Sequence, residues 1–132
     1  MAGHTTPPTA GETHTVQRTF TTADVRRFAA VSGDQQPRHT EPDEDGRLLV
    51  HGLLTATLPT TVGGDLAVLA SSMSFEFVRP VYTGQAITCT WTHDDVEERE
   101  DRYELTVDVV CENERDEVVL TGTLSGLVWK DD

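Results

Sequence analysis

Two side chains that could share a proton, Asp34 and His39, stand five positions apart in this sequence. Pro37 lies between them, so a stiffened bend presents the pair. Twelve residues after His39, His51 and Gly52 precede an apolar stretch, and a glycine that begins a helix offers a free N–H to an anionic oxygen. These residues predict an acid/base pair with an anion site.

A structural interpretation of the same residues stays open at this stage. The segment around Asp34 has the composition of an ordinary polar turn, in which His39 would lie at the surface. His51 is expected to pack at the start of the helix and to make a structural hydrogen bond. Asp34, His39 and His51 are also the side-chain types that bind zinc.

A helix is predicted to deliver the aspartate into its loop. Residues 13–20 indicate a short strand, and residues 22–31 indicate a helix that Thr21 or Thr22 caps and Gly33 ends. Further on, residues 48–58 are nearly all apolar, which predicts a buried helix that Pro59 kinks or ends.

From Ala67 onward the apolar residues alternate with polar ones, which is typical of strands with one buried face. Turn signals separate these strands, so an antiparallel meander is expected. One apolar helix and one half-apolar sheet of about five strands predict an α+β domain in which the sheet wraps around a central helix. Residues 1–11 are expected to be a flexible tail, and residues 12–132 the single domain.

The acidic composition argues against nucleic acid as a partner and suggests a high-salt environment. With 23 acidic and 10 basic residues the formal charge is −13, which argues against binding to nucleic-acid phosphates. A chain so acidic, whose only lysine is Lys130, resembles the proteins of salt-loving organisms. We expect its self-repulsion to be screened at high salt.

The cysteines and the apolar runs predict a soluble, cytoplasmic protein. Cys89 and Cys111 lie in strand-like segments without metal-ligand spacing, which favours two reduced, half-buried thiols. Nowhere do 18 apolar residues run together, and no apolar signal region follows Met1. No association with a membrane is expected.

Over roughly residues 18–130, the chain resembles the MaoC-like, R-specific enoyl-CoA hydratases, which are hot-dog folds. The resemblance rests on the helix that ends in Ser32-Gly33-Asp34-Gln-Gln-Pro37-Arg-His39, the run Val50-His51-Gly52-Leu-Leu, and the run Phe75-Glu-Phe-Val-Arg-Pro80-Val-Tyr-Thr-Gly84. It implies reversible syn addition of water to a trans-2-enoyl thioester, which gives an R-3-hydroxyacyl thioester. No cofactor or metal is implied.

The resemblance also implies roles for individual residues. Asp34 and His39 would together hold and activate one water, and the Gly52 N–H would bind the thioester oxygen. The Thr60 hydroxyl would help to hold the first loop, although the family more often has serine there. We expect Asp34 and His39 to share a proton near the working pH and to titrate as a unit.

This chain departs from the family pattern at two places near the pair. Gln36 stands where asparagine is usual, so the group that this amide positions would shift by one methylene. The segment between His39 and His51 is several residues shorter than usual, which would open the acyl tunnel to bulkier groups or signal lost activity. Arg38, Arg47 and Arg79 are the candidate partners of coenzyme A phosphates.

Two other functions remain open on these residues. A hot-dog thioesterase would direct water to the carbonyl carbon instead of C3, and a non-catalytic hot-dog subunit would only bind acyl groups. The acyl carrier could be coenzyme A or an acyl carrier protein. Because hot-dog domains pair side by side, the resemblance implies a homodimer or a higher homo-oligomer.

Overall fold

The computed structural model describes residues 6–130, in which strands and helices alternate along the chain. In order they are β1 (Thr13–Thr19), α1 (Thr22–Ser32), α2 (Pro37–Thr40), α3 (Gly52–Thr55), α4 (Thr57–Asp65), β2 (Leu69–Phe77), β3 (Ala86–Glu98), β4 (Arg102–Glu112) and β5 (Val118–Trp129). The strands form one antiparallel sheet in the order β1-β3-β4-β5-β2. The predicted α+β domain with a five-stranded antiparallel sheet is confirmed.

Alternating side chains of the central strands form much of the core. The buried side chains of β3 and β4 are Ile87, Cys89, Trp91, His93, Leu105, Val107, Val109 and Cys111. Helix α4 packs on this face, where a Cβ added to Gly63 would lie 3.4 Å from the Trp91 ring. The central position predicted for the helix is therefore correct.

The first helix begins and ends as its sequence predicts. The Thr21 side chain accepts a hydrogen bond from the Asp24 N–H, and the Asp24 carboxylate accepts one from the Thr21 N–H. Gly33 ends the helix in the left-handed conformation, with φ of 82°. Asp34 consequently enters the loop directly after the helix.

The buried helix begins and ends later than predicted. Residues 48–50 are extended instead of helical, because Leu49 forms an antiparallel bridge with Tyr82 and the Val50 N–H donates to the Val81 carbonyl. A break at Ala56 separates the single turn of α3 from α4. Pro59 then lies in the first turn of α4, where a proline removes no intrahelical hydrogen bond, so it neither kinks nor ends the helix.

Strand β2 lies at an edge of the sheet, and its apolar side chains are not buried as the alternation had suggested. The side chains of Leu69, Met73 and Phe77 are 58%, 48% and 54% exposed. Phe75 packs instead across β5, where a Cβ on Gly122 would lie 2.5 Å from its ring. The strand thus presents apolar groups beside an unpaired edge.

The predicted tail falls partly outside the structure, since residues 1–5 lie outside the described residues. Within residues 6–11, the Gly11 N–H donates to the His93 carbonyl over 2.8 Å, and the Thr9 carbonyl lies 3.2 Å from His93 Nδ1. Between residues 6 and 130, the longest apolar helix falls short of what crossing a membrane requires.

Candidate active site

The loop after α1 brings the aspartate and the histidine together. Pro37 is the first residue of α2, where its fixed φ suits a helix and its missing N–H costs nothing. One turn of helix then carries the His39 ring inward, and His39 is only 5% exposed. The alternative of a surface histidine in a polar turn does not fit this burial.

A single backbone contact sets the orientation of the His39 ring. Its Nδ1 lies 2.7 Å from the carbonyl oxygen of Leu49, which can only accept, so Nδ1 carries the proton. Its Nε2 then faces Asp34, and the distance from Nε2 to Asp34 Oδ2 is 3.6 Å. The amino-acid type of Leu49 gives no sign of this role, because its contribution is a main-chain carbonyl.

The Asp34 carboxylate is partly exposed, at 41%, and is held by the neighbouring glutamine. The Gln36 side-chain amide donates to Asp34 Oδ1 over 2.9 Å. This hydrogen bond is the main reason that the pKa of Asp34 lies below its usual value, and the Gln36 backbone N–H and the nearby imidazoles act in the same direction. The longer amide in place of asparagine therefore reaches the carboxylate. The lowered pKa favours the ionised carboxylate.

His51 packs between the helix and the pair. Its ring stacks on that of His39 with centroids 3.7 Å apart, and the Phe28 ring lies in an edge arrangement with a centroid distance of 4.9 Å from it. The His51 Nε2–H donates to the backbone carbonyl of Asp34 over 2.9 Å. His51 thereby supports both the His39 ring and the loop that carries Asp34.

Gly52 is the first residue of α3, so its N–H has no acceptor within the helix. The Phe77 ring covers this glycine so closely that an added Cβ would lie 2.7 Å from Cε1. An apolar cleft of about 210 Å³ lies beside it, with Leu49, Val50, Thr55, Val78 and Val81 among its lining residues. Phe77 was missed in the sequence because its strand pattern predicts a core residue.

Thr60, another of the predicted site residues, lies on helix α4. The Thr60 hydroxyl donates to the Ala56 carbonyl over 3.2 Å, within its own helix, so it does not hold the first loop as the resemblance implies. A threonine in a helix ordinarily makes this bond to the carbonyl one turn back. His51 and Gln36 hold that loop instead.

The three arginines differ in how they are held. Arg38 is exposed next to His39. The Arg47 guanidinium bonds the Asp43 carboxylate over 3.0 Å and lies over the Tyr82 ring. Arg79 donates to the Val118 carbonyl over 2.7 Å and lines the cleft beside Gly52. A second, more polar cleft of about 310 Å³ has Arg79, Arg47 and Arg115 among its lining residues.

The side chains of Asp34, His39 and His51 are of the types that bind metal ions. Ligand atoms of Asp34, His39 and His51 lie within 4.8 Å of one another. One nitrogen of each ring is already hydrogen-bonded to a backbone carbonyl, and the two rings stack face to face. Stacked rings direct their nitrogens within parallel planes instead of converging on one ion, so the arrangement suits hydrogen bonding better.

Comparisons with known proteins agree on a family. A model described as "MaoC like domain" matches residues 5–114. The mitochondrial 3-hydroxyacyl-[acyl-carrier-protein] dehydratase of Arabidopsis thaliana is 26% identical in an alignment 119 residues long, and the match covers 84% of this chain and 72% of that protein.

Solved structures share the architecture. The (R)-hydratase from A. caviae involved in PHA biosynthesis superposes with a TM-score of 0.79 at 25% identity, covering 92% of this chain and 96% of that one. A monoamine oxidase regulatory protein from Archaeoglobus fulgidus gives a TM-score of 0.77 at 25% identity, with coverage of 95% and 93%.

The chain therefore belongs to the MaoC-like domain family of hydratases and dehydratases, and its fold is the hot-dog fold.

Proposed function

We propose that this protein adds water reversibly to a trans-2-enoyl thioester and produces the R-3-hydroxyacyl thioester. The observation that carries the proposal is the placement of Asp34 and His39, whose facing atoms are 3.6 Å apart. Two atoms at this separation do not bond each other directly, yet both can lie about 2.8 Å from one water oxygen. The pair is thus spaced to hold a single water.

The orientation of His39 supports its role as the base. Since its Nδ1–H is bound to Leu49, the lone pair of Nε2 points toward the water site. Asp34 remains a carboxylate and accepts a hydrogen bond from the other O–H of the water, which orients the oxygen. Imidazole is the side chain that ordinarily gains and loses a proton near neutral pH, so Nε2 receives the proton as the C3–O bond forms.

The proton can return from the same atom. Attack at C3 moves the electron pair of the double bond toward the carbonyl and makes an enolate. His39 Nε2–H then protonates C2, so the hydroxyl and the hydrogen of one water are added and His39 is neutral again. Because the same pair serves both steps from one side, the addition is syn.

The Gly52 N–H is proposed to bind the enolate oxygen. Removing one such donor from an active site typically costs about 3 kcal/mol of transition-state stabilisation. Helix α3 is a single turn, so the N–H itself supplies the stabilisation, with little from a helix dipole. The apolar cleft between Gly52 and Val81 has the character needed for an acyl chain.

Two features of the structure support the proposed partners, which are the carrier of the thioester and a second copy of this chain. The adjacent clefts share Arg79, which could lead a thioester from Gly52 toward the arginines of the polar cleft and the phosphates of coenzyme A or of an acyl carrier protein. The exposed apolar side chains at the β2 edge favour a homodimer in which two sheets join.

Crotonyl-CoA tests the reaction type. Loss of the enone absorbance without release of free thiol, and formation of R-3-hydroxybutyryl-CoA, is the expected result in molar KCl. Thiol release would indicate a thioesterase. If neither signal changes for any chain length of enoyl-CoA, the protein is a non-catalytic acyl-binding subunit and the proposal is wrong.

A further inference from the structure

A second cluster of ligand side chains lies where the chain enters the sheet. Glu12 immediately precedes β1, His14 is the second residue of that strand, and His93 lies on the neighbouring strand β3, where ligand atoms of all three side chains lie within 4.8 Å of one another. Two backbone hydrogen bonds fix this register, from Gly11 N–H to the His93 carbonyl and from His93 N–H to the Glu12 carbonyl. The three side chains consequently meet on one side of the sheet.

His93 is the fixed member of this cluster. Its side chain is 1% exposed, and among residues 6–130 its Nε2 has no hydrogen-bond partner. Its Nδ1 lies 3.7 Å from Glu12 Oε1 and makes a long contact of 3.2 Å with the Thr9 carbonyl. Its ring is thus fixed by burial, and Nδ1 is the nitrogen that faces Glu12.

Glu12 supplies a negative charge to the cluster. Burial raises the pKa of Glu12, but hydrogen bonds from His14 and from the Thr9 N–H outweigh it, and the pKa is lowered overall. Glu12 Oε2 is bonded to His14 Nε2. The side chains of Glu12 and His14 are 28% and 34% exposed, which leaves them free to adjust around a ligand.

The cluster lines a cavity of about 290 Å³, and Asp65 and Leu66 at the end of α4 line it as well. One nitrogen of each ring and one oxygen of Glu12 lie within 4.8 Å of one another. Two ligand atoms bound to one tetrahedral zinc ion at about 2.0 Å are separated by roughly 3.3 Å. The 3.7 Å between His93 Nδ1 and Glu12 Oε1 is close to that value.

We propose that Glu12, His14 and His93 bind a divalent transition metal of the zinc class. Two imidazoles and a carboxylate are a donor set of zinc, and solvent can complete the coordination. The cluster contains none of the residues assigned to hydration. The metal is structural in this proposal, because it ties the residues before β1 to the buried face of β3.

The test uses the untagged, full-length protein after treatment with a chelator. Titration with Zn²⁺ in a calorimeter is expected to give one saturable site, bound Co²⁺ to show the visible absorption of tetrahedral coordination, and Zn²⁺ to raise the melting temperature. His14→Ala, a change at a partly exposed residue, is expected to weaken Zn²⁺ binding by at least about tenfold.

Asp34→Asn is the matched control, because it disrupts the other cluster of ligand types and leaves this one intact. Its Zn²⁺ affinity is expected to equal that of the wild type. No saturable binding by the wild type, equal affinity in His14→Ala, or loss of binding in Asp34→Asn alone would each overturn the proposal. None of these outcomes bears on hydration of enoyl thioesters.

Discussion

The backbone carbonyl of Leu49 accepts a hydrogen bond from His39 Nδ1 over 2.7 Å. The extended segment that contains Leu49 leads three residues later to Gly52, the first residue of α3. One short stretch of main chain therefore orients the proposed base and positions the proposed oxyanion donor. A change that displaces this stretch should affect both steps of the reaction.

Gln36 is predicted to hold down the pKa of the Asp34 carboxyl. Its amide is the main cause of the lowered pKa of Asp34, so replacing it by leucine should let that pKa rise toward its ordinary value. Less of the carboxylate is then ionised at a given acidic pH. An NMR titration of the Asp34 side-chain carboxyl should consequently give a higher pKa in Gln36→Leu than in the wild type.

Gln35→Leu is the control for this experiment, because Gln35 is an exposed neighbour of the same type. Its Asp34 titration should match that of the wild type. An Asp34 pKa that stays in place in Gln36→Leu, or moves equally in both variants, would show that the amide does not tune Asp34.

Gly52→Ala is predicted to impair hydration. The new Cβ would lie 2.7 Å from the Phe77 ring, so the ring must shift over the cleft where the thioester is proposed to bind. We expect a loss in kcat/KM of at least about tenfold, since a small misplacement at a reacting centre has effects of this size or larger. Steady-state kinetics with crotonyl-CoA measure it.

The double variant Gly52→Ala/Phe77→Ala separates steric from chemical effects. Removing the ring makes room for the Cβ while the N–H at residue 52 is kept. The double variant should therefore be nearly as active as Phe77→Ala alone. Strictly additive losses would contradict the steric account.

The charge of the chain predicts a stability that depends on salt. At a formal charge of −13, repulsion destabilises the folded state in dilute buffer. In 1 M KCl the Debye length is about 3 Å, so this repulsion is screened. The melting temperature should rise from dilute buffer to molar KCl, and a melting curve indifferent to salt would refute the prediction.

The apolar edge strand predicts a dimer. Met73 is 48% exposed on β2, and a glutamate there should oppose the pairing of two such edges. Light scattering after size exclusion should give the wild type twice the 14.5 kDa of one chain and Met73→Glu the mass of a monomer. Val31→Glu makes the same change at an exposed position of α1 and should remain dimeric. A monomeric wild type would contradict the proposal.

Local patterns in the sequence were sufficient to predict helix α1 and the loop that carries Asp34. The capping box at Thr21 and the glycine at 33 are short-range signals, and they place Asp34 correctly after α1. Pro59 was misread, because the break at Ala56 that makes the proline harmless depends on how the chain packs.

Contacts between distant segments could not be read from spacing. The stack of His39 on His51 and the Phe77 ring over Gly52 join residues from separate elements. The cluster around His93 likewise requires the register of β1 on β3. The residue types indicated which side chains could do chemistry. The packing of distant segments determines which of these side chains lie together.

The central claim is that Asp34 and His39 act on one water, and hydration of crotonyl-CoA in molar KCl by Asp34→Asn and His39→Gln tests it most directly. Each variant should lose at least about a hundredfold in kcat while keeping its fold, as judged by circular dichroism, because acid/base groups typically contribute this much. A folded variant of either residue that hydrates crotonyl-CoA as fast as the wild type would contradict the account.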